Sequence, residues 1–202
     1  APKTQHYPHL YETELAAFLK ALRNASSRHV TVAAIRTIVT TACRPGMVRF
    51  AEWHEIDLEK GLWTTSAAKM KTRRDFVMPL SQQTLSELTA LHEVTGRSRY
   101  VFPGSGSTNP TMSENTINKA LRMIGYQDKL VGHGARHTAS TLLREHGWGK
   151  QFVEAQLAHK EDGVAGVYNQ AQYLDKRRKM MQWYADYLDA LETGTPVPAD
   201  PV

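Results

Sequence analysis

The sequence is poor in the features that mark secreted and membrane proteins. Its 202 residues include a single cysteine, Cys43, which excludes an internal disulfide and suits a reducing cytosol. No apolar run approaches the roughly 18 residues that a membrane-spanning helix requires. The first ten residues, APKTQHYPHL, lack the charged and apolar regions of a signal peptide. We therefore expect a cytoplasmic protein.

Charge is also modest, with 25 Lys and Arg against 20 Asp and Glu and a net charge of +5. This balance permits a polyanionic partner without requiring one. The basic residues form two runs, KMKTRR at 69–74 and KRRK at 176–179. Such runs are usually solvated faces, and contact with phosphates is the alternative for both.

Apolar residues make up 41% of the chain, enough for a sizeable core. Leu15, Phe18, Leu19 and Leu22 recur at i, i+3, i+4 and i+7, which predicts an amphipathic helix. Further helices are predicted by the same spacing around 32–39, 47–51, 82–91, 117–124, 133–143, 150–158 and 173–191. The segments LWTT and DFVMPL are rich in β-formers and predict a small antiparallel hairpin or three-stranded sheet.

The fold class predicted from this pattern is mainly α with a small antiparallel β-sheet inserted early. Residues 1–11 form a polar lead-in, 12–192 a single domain, and 193–202 a Pro-rich tail that we expect to be disordered. GSGSTNP at 104–110 is a loop by composition.

The stretch HGARH at 133–137 offers three interpretations. His133 and His137 would share one face of a helix, as zinc ligands do. Zinc proteases with this spacing place Glu after the first His, whereas this chain has Gly134 and no carboxylate between the histidines. A metal site is therefore disfavoured, which leaves a polar helix start or a cluster that acts on an anion.

Phosphodiester chemistry fits the second of these interpretations. Forked guanidinium groups bind two phosphate oxygens at once, imidazoles donate hydrogen bonds or move protons, a lysine protonates a leaving alkoxide, and a tyrosine attacks phosphorus. Fixed cations of this kind supply charge stabilisation without a metal or another cofactor. The candidates for these roles are Arg44, Lys71, His133, Arg136, His159 and Tyr168.

With these residues assembled, the sequence resembles the catalytic domain of the tyrosine recombinases, the DNA breaking-rejoining enzymes that include integrases of temperate phages and genomic islands. The resemblance runs from about residue 10 to 192 and rests on ordered motifs. These are TACRPG, WHEIDLEKGLWT, KMKTRRDFVMPLS, YVFP, HGARHTASTLL, QLAHK and VYNQ. The gaps of three, 23 and nine residues that separate His133, Arg136, His159 and Tyr168 are typical of the family.

The resemblance implies how the phosphate is bound. Arg44 and Arg136 would clamp the scissile phosphate, and His133 and His159 would assist by hydrogen bonding and proton transfer. One position departs from the family, which usually has Glu or Asp three residues after the first arginine; here it is Met47. The local geometry around Arg44 is therefore in question.

The resemblance also implies the cleavage steps. Tyr168 would attack to form a 3′-phosphotyrosyl intermediate, and Lys71 would act as general acid toward the 5′ oxygen. A 5′ hydroxyl would then reverse the step without ATP or metal. Lys69, Arg73 and Arg74 are candidates for nonspecific contacts with DNA phosphates.

Implied partners are double-stranded DNA attachment sites, further copies of the protein in a tetramer, and accessory DNA-bending proteins. The family normally carries a DNA-clamping domain before this one, so the resemblance also implies a fragment. Two alternatives remain. One is a type IB topoisomerase, which uses the same chemistry, and the other is a DNA-binding relative without catalysis.

Overall fold

The computed structural model describes residues 7–70, 73–106, 109–159 and 173–201. Two predicted site residues, Lys71 and Tyr168, lie outside the described residues. The helices are α1 (Glu12–Arg23), α2 (His29–Thr41), α3 (Pro45–Arg49), α4 (Gln82–Thr95), α5 (Thr116–Met123), α6 (Gly134–Glu145), α7 (Lys150–Gln156) and α8 (Leu174–Thr193). The strands are β1 (Ile56–Asp57), β2 (Leu62–Thr65), β3 (Phe76–Pro79), β4 (Pro103–Gly106) and β5 (Asn109–Thr111).

The first and last helices pack against each other along apolar stripes. In α1 the buried residues are the four that the sequence pattern predicted: Leu15, Phe18, Leu19 and Leu22. In α8 the stripe includes Met180, Tyr184 and Tyr187. Because helical periodicity is a local property of the chain, both helices were predictable.

Helix α2 is the centre of the domain and contacts α3, α4, α5, α6 and α8. It is apolar on most sides, and Thr37 and Thr41 donate their hydroxyl hydrogens to carbonyls four residues earlier. The helix ends at Ala42, which has a left-handed φ of 53°. This turn redirects the chain, so that Arg44 precedes Pro45 at the first position of α3.

Of the two arrangements predicted, a hairpin or a three-stranded antiparallel sheet, the structure shows the three-stranded sheet, with the order β1-β2-β3. Trp63 lies opposite Ile56 on one side and Met78 on the other, and its side chain is buried. Ser81 then caps α4 by accepting a hydrogen bond from Thr84 N. The fold class, mainly α with a small antiparallel sheet, is confirmed.

The predicted loop at 104–110 is wrong, because β4 and β5 form a two-stranded antiparallel hairpin there. Gly and Ser composition favoured a loop, but Phe102 and Met112 are buried on either side of the hairpin. The strands thus pair between two residues that belong to the core, despite the weak β propensity of the segment between them.

The expected disorder of the tail also differs from the structure. Trp183 donates its indole hydrogen to Ala199 O at 2.8 Å, and His146 Nδ1 lies 2.6 Å from an oxygen of Asp200. These contacts hold the Pro-rich segment against α8, although it forms no regular structure. Among the described helices, none combines the length and the apolar character needed to cross a membrane.

The KRRK run is only partly a solvated face. Arg177 is fully buried, donates from Nε to Gln156 and from Nη2 to Val77 O, and lies over the ring of Phe76. Burial lowers its pKa to about 10. Lys176 and Lys179 are exposed, so the run combines a packing residue with surface charges.

Candidate functional site

Among the predicted site residues that the structure describes, Arg136 is the most deeply buried. It projects from α6, is only 8% exposed, and donates from Nη1 to Ala42 O at 2.6 Å and from Nη2 to Leu157 O at 2.8 Å. Burial, and then the positive charge of Arg44, lowers the pKa of Arg136 to about 10. The guanidinium therefore stays charged at neutral pH.

Arg44, which follows α2, reaches the same turn at the end of α7 that Arg136 contacts. Its Nη2 donates to Ala158 O at 3.3 Å, next to the carbonyl of Leu157 that Arg136 contacts. Burial lowers the pKa of Arg44 from its ordinary value. Within the described part of the chain, neither Arg44 nor Arg136 pairs with a carboxylate. Two partly desolvated cations that form no ion pair favour an anionic ligand at this point.

His159 follows the turn that both guanidinium groups contact. Helix α7 ends there with Ala158 at a left-handed φ of 49°, and His159 Nδ1 lies 2.6 Å from Glu154 Oε2. Because a carboxylate only accepts, Nδ1 carries the hydrogen. Nε2 then lies on the side of Arg136, 3.5 Å from its Nη2.

His133 completes this arrangement at the start of α6. Together with Arg44 it lines a cavity of about 440 Å³ that also reaches Arg49 and Asn118. Burial, followed by the charges of Arg136 and Arg44, lowers the pKa of His133. The lowered pKa favours the neutral imidazole, which has one donor and one acceptor nitrogen.

The structure thus brings together four of the six residues predicted for catalysis: Arg44, His133, Arg136 and His159. They come from the end of α2, the start of α6 and the end of α7. Lys71 and Tyr168 lie outside the described residues, so their positions stay predictions. Among the described residues, no group of three His, Cys, Asp or Glu side chains is arranged to hold a metal ion.

Lys69, predicted as a DNA contact, has a different environment. Its ammonium lies 2.6 Å from Glu52 and 2.8 Å from Glu55 and donates to Phe50 O. Burial opposes the charge, but the hydrogen bonds to Glu52 and Glu55 outweigh it and raise the pKa of Lys69. The ammonium group of Lys69 is therefore engaged in ion pairs and a hydrogen bond within the protein.

Arg73 and Arg74, the other two predicted DNA contacts, are exposed. They follow Lys69 in the connection between β2 and β3. Their guanidinium groups are accessible to a phosphate backbone, and the prediction for them stays open.

Met47 stands where an acidic residue was expected, and it is 9% exposed. It lines a second cavity, of about 420 Å³, together with Glu52, Glu55 and Lys69. Carboxylates are therefore supplied near this position by later residues of the chain. They hold Lys69 and Arg99, and Arg44 forms no ion pair with them.

Sequence reasoning missed two contacts of the site. Glu154 hydrogen-bonds His159 from five positions earlier. The sequence did contain a signal for this contact, because a carboxylate stands a little more than one helical turn before a histidine at a helix end. Tyr7 stacks on His133, with ring centroids 5.0 Å apart and an interplanar angle of 22°. No local pattern linked a tyrosine in the lead-in to a residue 126 positions later.

Comparison with known proteins settles the family, since residues 8–174 match the phage integrase family. The chain belongs to this family. Among its relatives are the integrase of Shigella phage Sf6, 40% identical over 189 residues, and the prophage integrase IntZ of Escherichia coli K12, 43% identical over 190 residues. These alignments cover 93% and 94% of this chain, but only 49% and 47% of the relatives. The chain thus spans about half the length of these integrases.

Solved structures of other integrases and recombinases show the same fold. The integrase of mycobacterium phage Brujita matches with a TM-score of 0.65 and 14% identity, over 90% of this chain and 59% of that one. A lambda integrase dimer bound to a COC′ core site matches with a TM-score of 0.60 and 20% identity, over 88% of this chain and 62% of that one. XerH recombinase bound to its difH substrate gives a TM-score of 0.62 and 18% identity, over 87% of this chain and 50% of that one.

Proposed function

We propose that this chain is the catalytic domain of a site-specific DNA recombinase that integrates or excises a mobile element. The observation that carries the proposal is the convergence of Arg44 and Arg136 on the neighbouring carbonyls of Leu157 and Ala158, directly before His159. Two forked cations beside two imidazoles match the charge and geometry of a phosphodiester. Membership in the phage integrase family supports the same reaction.

In this proposal the site first stabilises the charge of the phosphate. It then allows the 5′ oxygen on phosphorus to be replaced by the oxygen of Tyr168. The Tyr168 phenol gives its proton to His159 Nε2 as its oxygen attacks phosphorus. The bond to the 5′ oxygen breaks, and Lys71 donates a proton to that leaving oxygen. The DNA 3′ end is then held as a phosphotyrosine ester. Attack by a 5′ hydroxyl from another strand releases Tyr168, returns the proton and conserves the number of phosphodiester bonds.

The proposed partner is double-stranded DNA. The lambda integrase and XerH structures are complexes with DNA sites, which supports this substrate class for the related domain. Assembly as a tetramer on paired attachment sites, with accessory DNA-bending proteins and in the cytoplasm, is part of the proposal. Since the relatives are about twice as long, we also propose that further DNA-binding domains belong to the whole protein.

Covalent capture from randomised DNA tests the reaction and selects the attachment site at the same time. The chain is incubated, without divalent metal, with a pool of nicked duplexes that carry a randomised core, and DNA that stays attached under denaturing conditions is isolated and sequenced. The expected result is an adduct that Tyr168→Phe abolishes while DNA affinity is kept. Tyr173→Phe is the matched control, because the Tyr173 ring packs on Phe152. An adduct that survives in Tyr168→Phe would show that the nucleophile is another residue.

Recovered sequences then separate recombination from supercoil relaxation. A recombinase joins two duplexes that carry the selected core, whereas a topoisomerase relaxes a plasmid without joining two sites. Relaxation alone would overturn the proposal in favour of a type IB topoisomerase. Binding without any adduct would favour a non-catalytic relative.

A further inference from the structure

Residues 7–10 of the lead-in are attached to the start of α6. Thr138 Oγ1 donates to Leu10 O at 2.9 Å, and Leu10 N donates back to the same oxygen at 3.0 Å. Val131 N donates to Pro8 O at 3.4 Å. Leu10 is 2% exposed. The lead-in is therefore held by backbone and side chain together, and it crosses the helix that begins with His133 and Gly134.

Gly134 permits this crossing. A Cβ atom at this position would lie 1.8 Å from Pro8 O, far inside any real contact. The second residue of HGARH is thus explained by the close approach of the lead-in backbone. Any side chain at this position would displace the lead-in from α6.

Tyr7, in the lead-in, lies on the imidazole of His133. The ring of Tyr7 is stacked on it at 5.0 Å and 22°, while Tyr7 itself is 59% exposed. Among the residues that the structure describes, no hydrogen-bond partner is found for either nitrogen of His133. Stacking is therefore the contact that fixes the ring plane, and both nitrogens remain available to a ligand in the cavity shared with Arg44.

We propose that Tyr7 is a positioning residue, which holds the His133 imidazole in the plane needed to hydrogen-bond the scissile phosphate. This inference rests on the proposed function. The lead-in thereby couples the chain before α1 to the site. A shift of Pro8 or Tyr7 would move the ring that stacks on His133 and so change the orientation of the imidazole. Because the Tyr7 ring covers one face of the imidazole, removing it should expose His133 to more water and raise its pKa.

The test compares Tyr7→Ala and Tyr7→Phe with the unaltered chain. Tyr11→Ala is the matched control, because Tyr11 is an exposed tyrosine of the adjoining segment that contacts His9 and not His133. The rate of covalent capture and the affinity for the selected duplex are measured. The pKa of His133 is followed by NMR in the same proteins without DNA.

We expect Tyr7→Ala to slow adduct formation on the order of tenfold, since misplacing a reacting group weakens catalysis more than binding. DNA affinity should stay the same, and the pKa of His133 should rise toward about 6.5, the value of an exposed histidine. Tyr7→Phe keeps the ring and should restore both readouts. Tyr11→Ala should change neither.

An unchanged His133 pKa and an unchanged adduct rate in Tyr7→Ala would overturn the proposal. So would a rate loss that Tyr7→Phe shares, because the hydroxyl and not the stacked ring would then be responsible. Gly134→Ala gives a second, independent test, since displacing the lead-in should raise the pKa of His133 as Tyr7→Ala does. If the unaltered chain forms no adduct, the proposed function fails, but the NMR titrations still decide whether Tyr7 controls the His133 environment.

Discussion

Arg136 donates a 2.6 Å hydrogen bond to the carbonyl of Ala42, two residues before Arg44 in the chain. One guanidinium of the site thus holds the backbone that carries the other. Gln156 adds a second tie, from its amide to Thr41 O at 2.8 Å. The last turn of α2 is consequently held by side chains of α6 and α7, close to where the phosphate is proposed to bind.

Arg136→Lys should therefore damage the site, although the substitution keeps the positive charge. A lysine cannot reach two carbonyls in a fixed fork, so the adduct rate should fall about 100-fold, as for loss of a transition-state donor. Leaving a buried carbonyl unpaired should also cost about 1–3 kcal/mol of unfolding free energy. Capture kinetics and urea unfolding measure the two effects.

The control for this prediction is Arg144→Lys, an exposed arginine on the same helix. It should leave both quantities unchanged. Equal adduct rates in Arg136→Lys and the unaltered chain would exclude Arg136 from the phosphate clamp.

Glu154→Gln tests the hydrogen bond that orients His159. The neutral amide loses the charge-assisted bond to Nδ1, and the imidazole should then turn more freely. We expect an adduct rate lower by on the order of tenfold, with DNA affinity unchanged. Glu145→Gln, at an exposed position of α6, serves as the control. If both variants behave alike, Glu154 has no part in the site.

Lys69→Met should act on stability and leave the electrostatics of DNA binding unaltered. It removes the cation beside the buried carboxylates of Glu52 and Glu55. Breaking a fully buried pair costs about 3–5 kcal/mol, and we expect about 2 kcal/mol here because the Lys69 side chain is 28% exposed. Urea unfolding gives this value.

The salt dependence of DNA affinity supplies the contrast. Arg74→Met, at an exposed position, should reduce the slope of log affinity against log salt by about 0.9 if Arg74 contacts one phosphate. Lys69→Met should leave that slope as it is. A reduced slope in Lys69→Met would restore Lys69 as a DNA contact.

The acid dependence of stability should depend on Glu52. Hydrogen bonds from Arg99 and then Lys69 lower the pKa of Glu52 to about 2, below its value in an unfolded chain. The ionised carboxylate therefore stabilises the fold above the unfolded pKa, and this contribution is lost as the pH falls toward about 2. The difference in unfolding free energy between the unaltered chain and Glu52→Gln should be largest above about pH 5 and shrink steadily below it.

Urea unfolding across this pH range measures that difference. Other carboxylates cancel, because both proteins contain them. Glu59→Gln, at an exposed position, should show a small and nearly constant difference. A Glu52→Gln difference that does not change with pH would contradict the role assigned to the ion pairs.

Local patterns predicted the parts of the fold that depend on local physics. The stripe of α1 and that of α8 follow from the 3.6-residue period of an amphipathic helix. The β4–β5 hairpin was missed because its Gly and Ser residues favour a loop, and the burial of Phe102 and Met112 on either side is visible only in the structure. The tail was missed for a similar reason, since Trp183 and His146 hold it through contacts with Ala199 and Asp200.

The sequence by itself determined the chemical types and the order of the site residues, because the spacing around Arg136 and His159 is a property of the chain alone. Only the tertiary structure decided which groups share an environment. It brought Arg44 to Ala158 across 114 positions, paired Lys69 with Glu52, and set Tyr7 on His133. Contacts of this kind depend on how helices and strands pack, and packing is a property of the whole core that no short segment encodes.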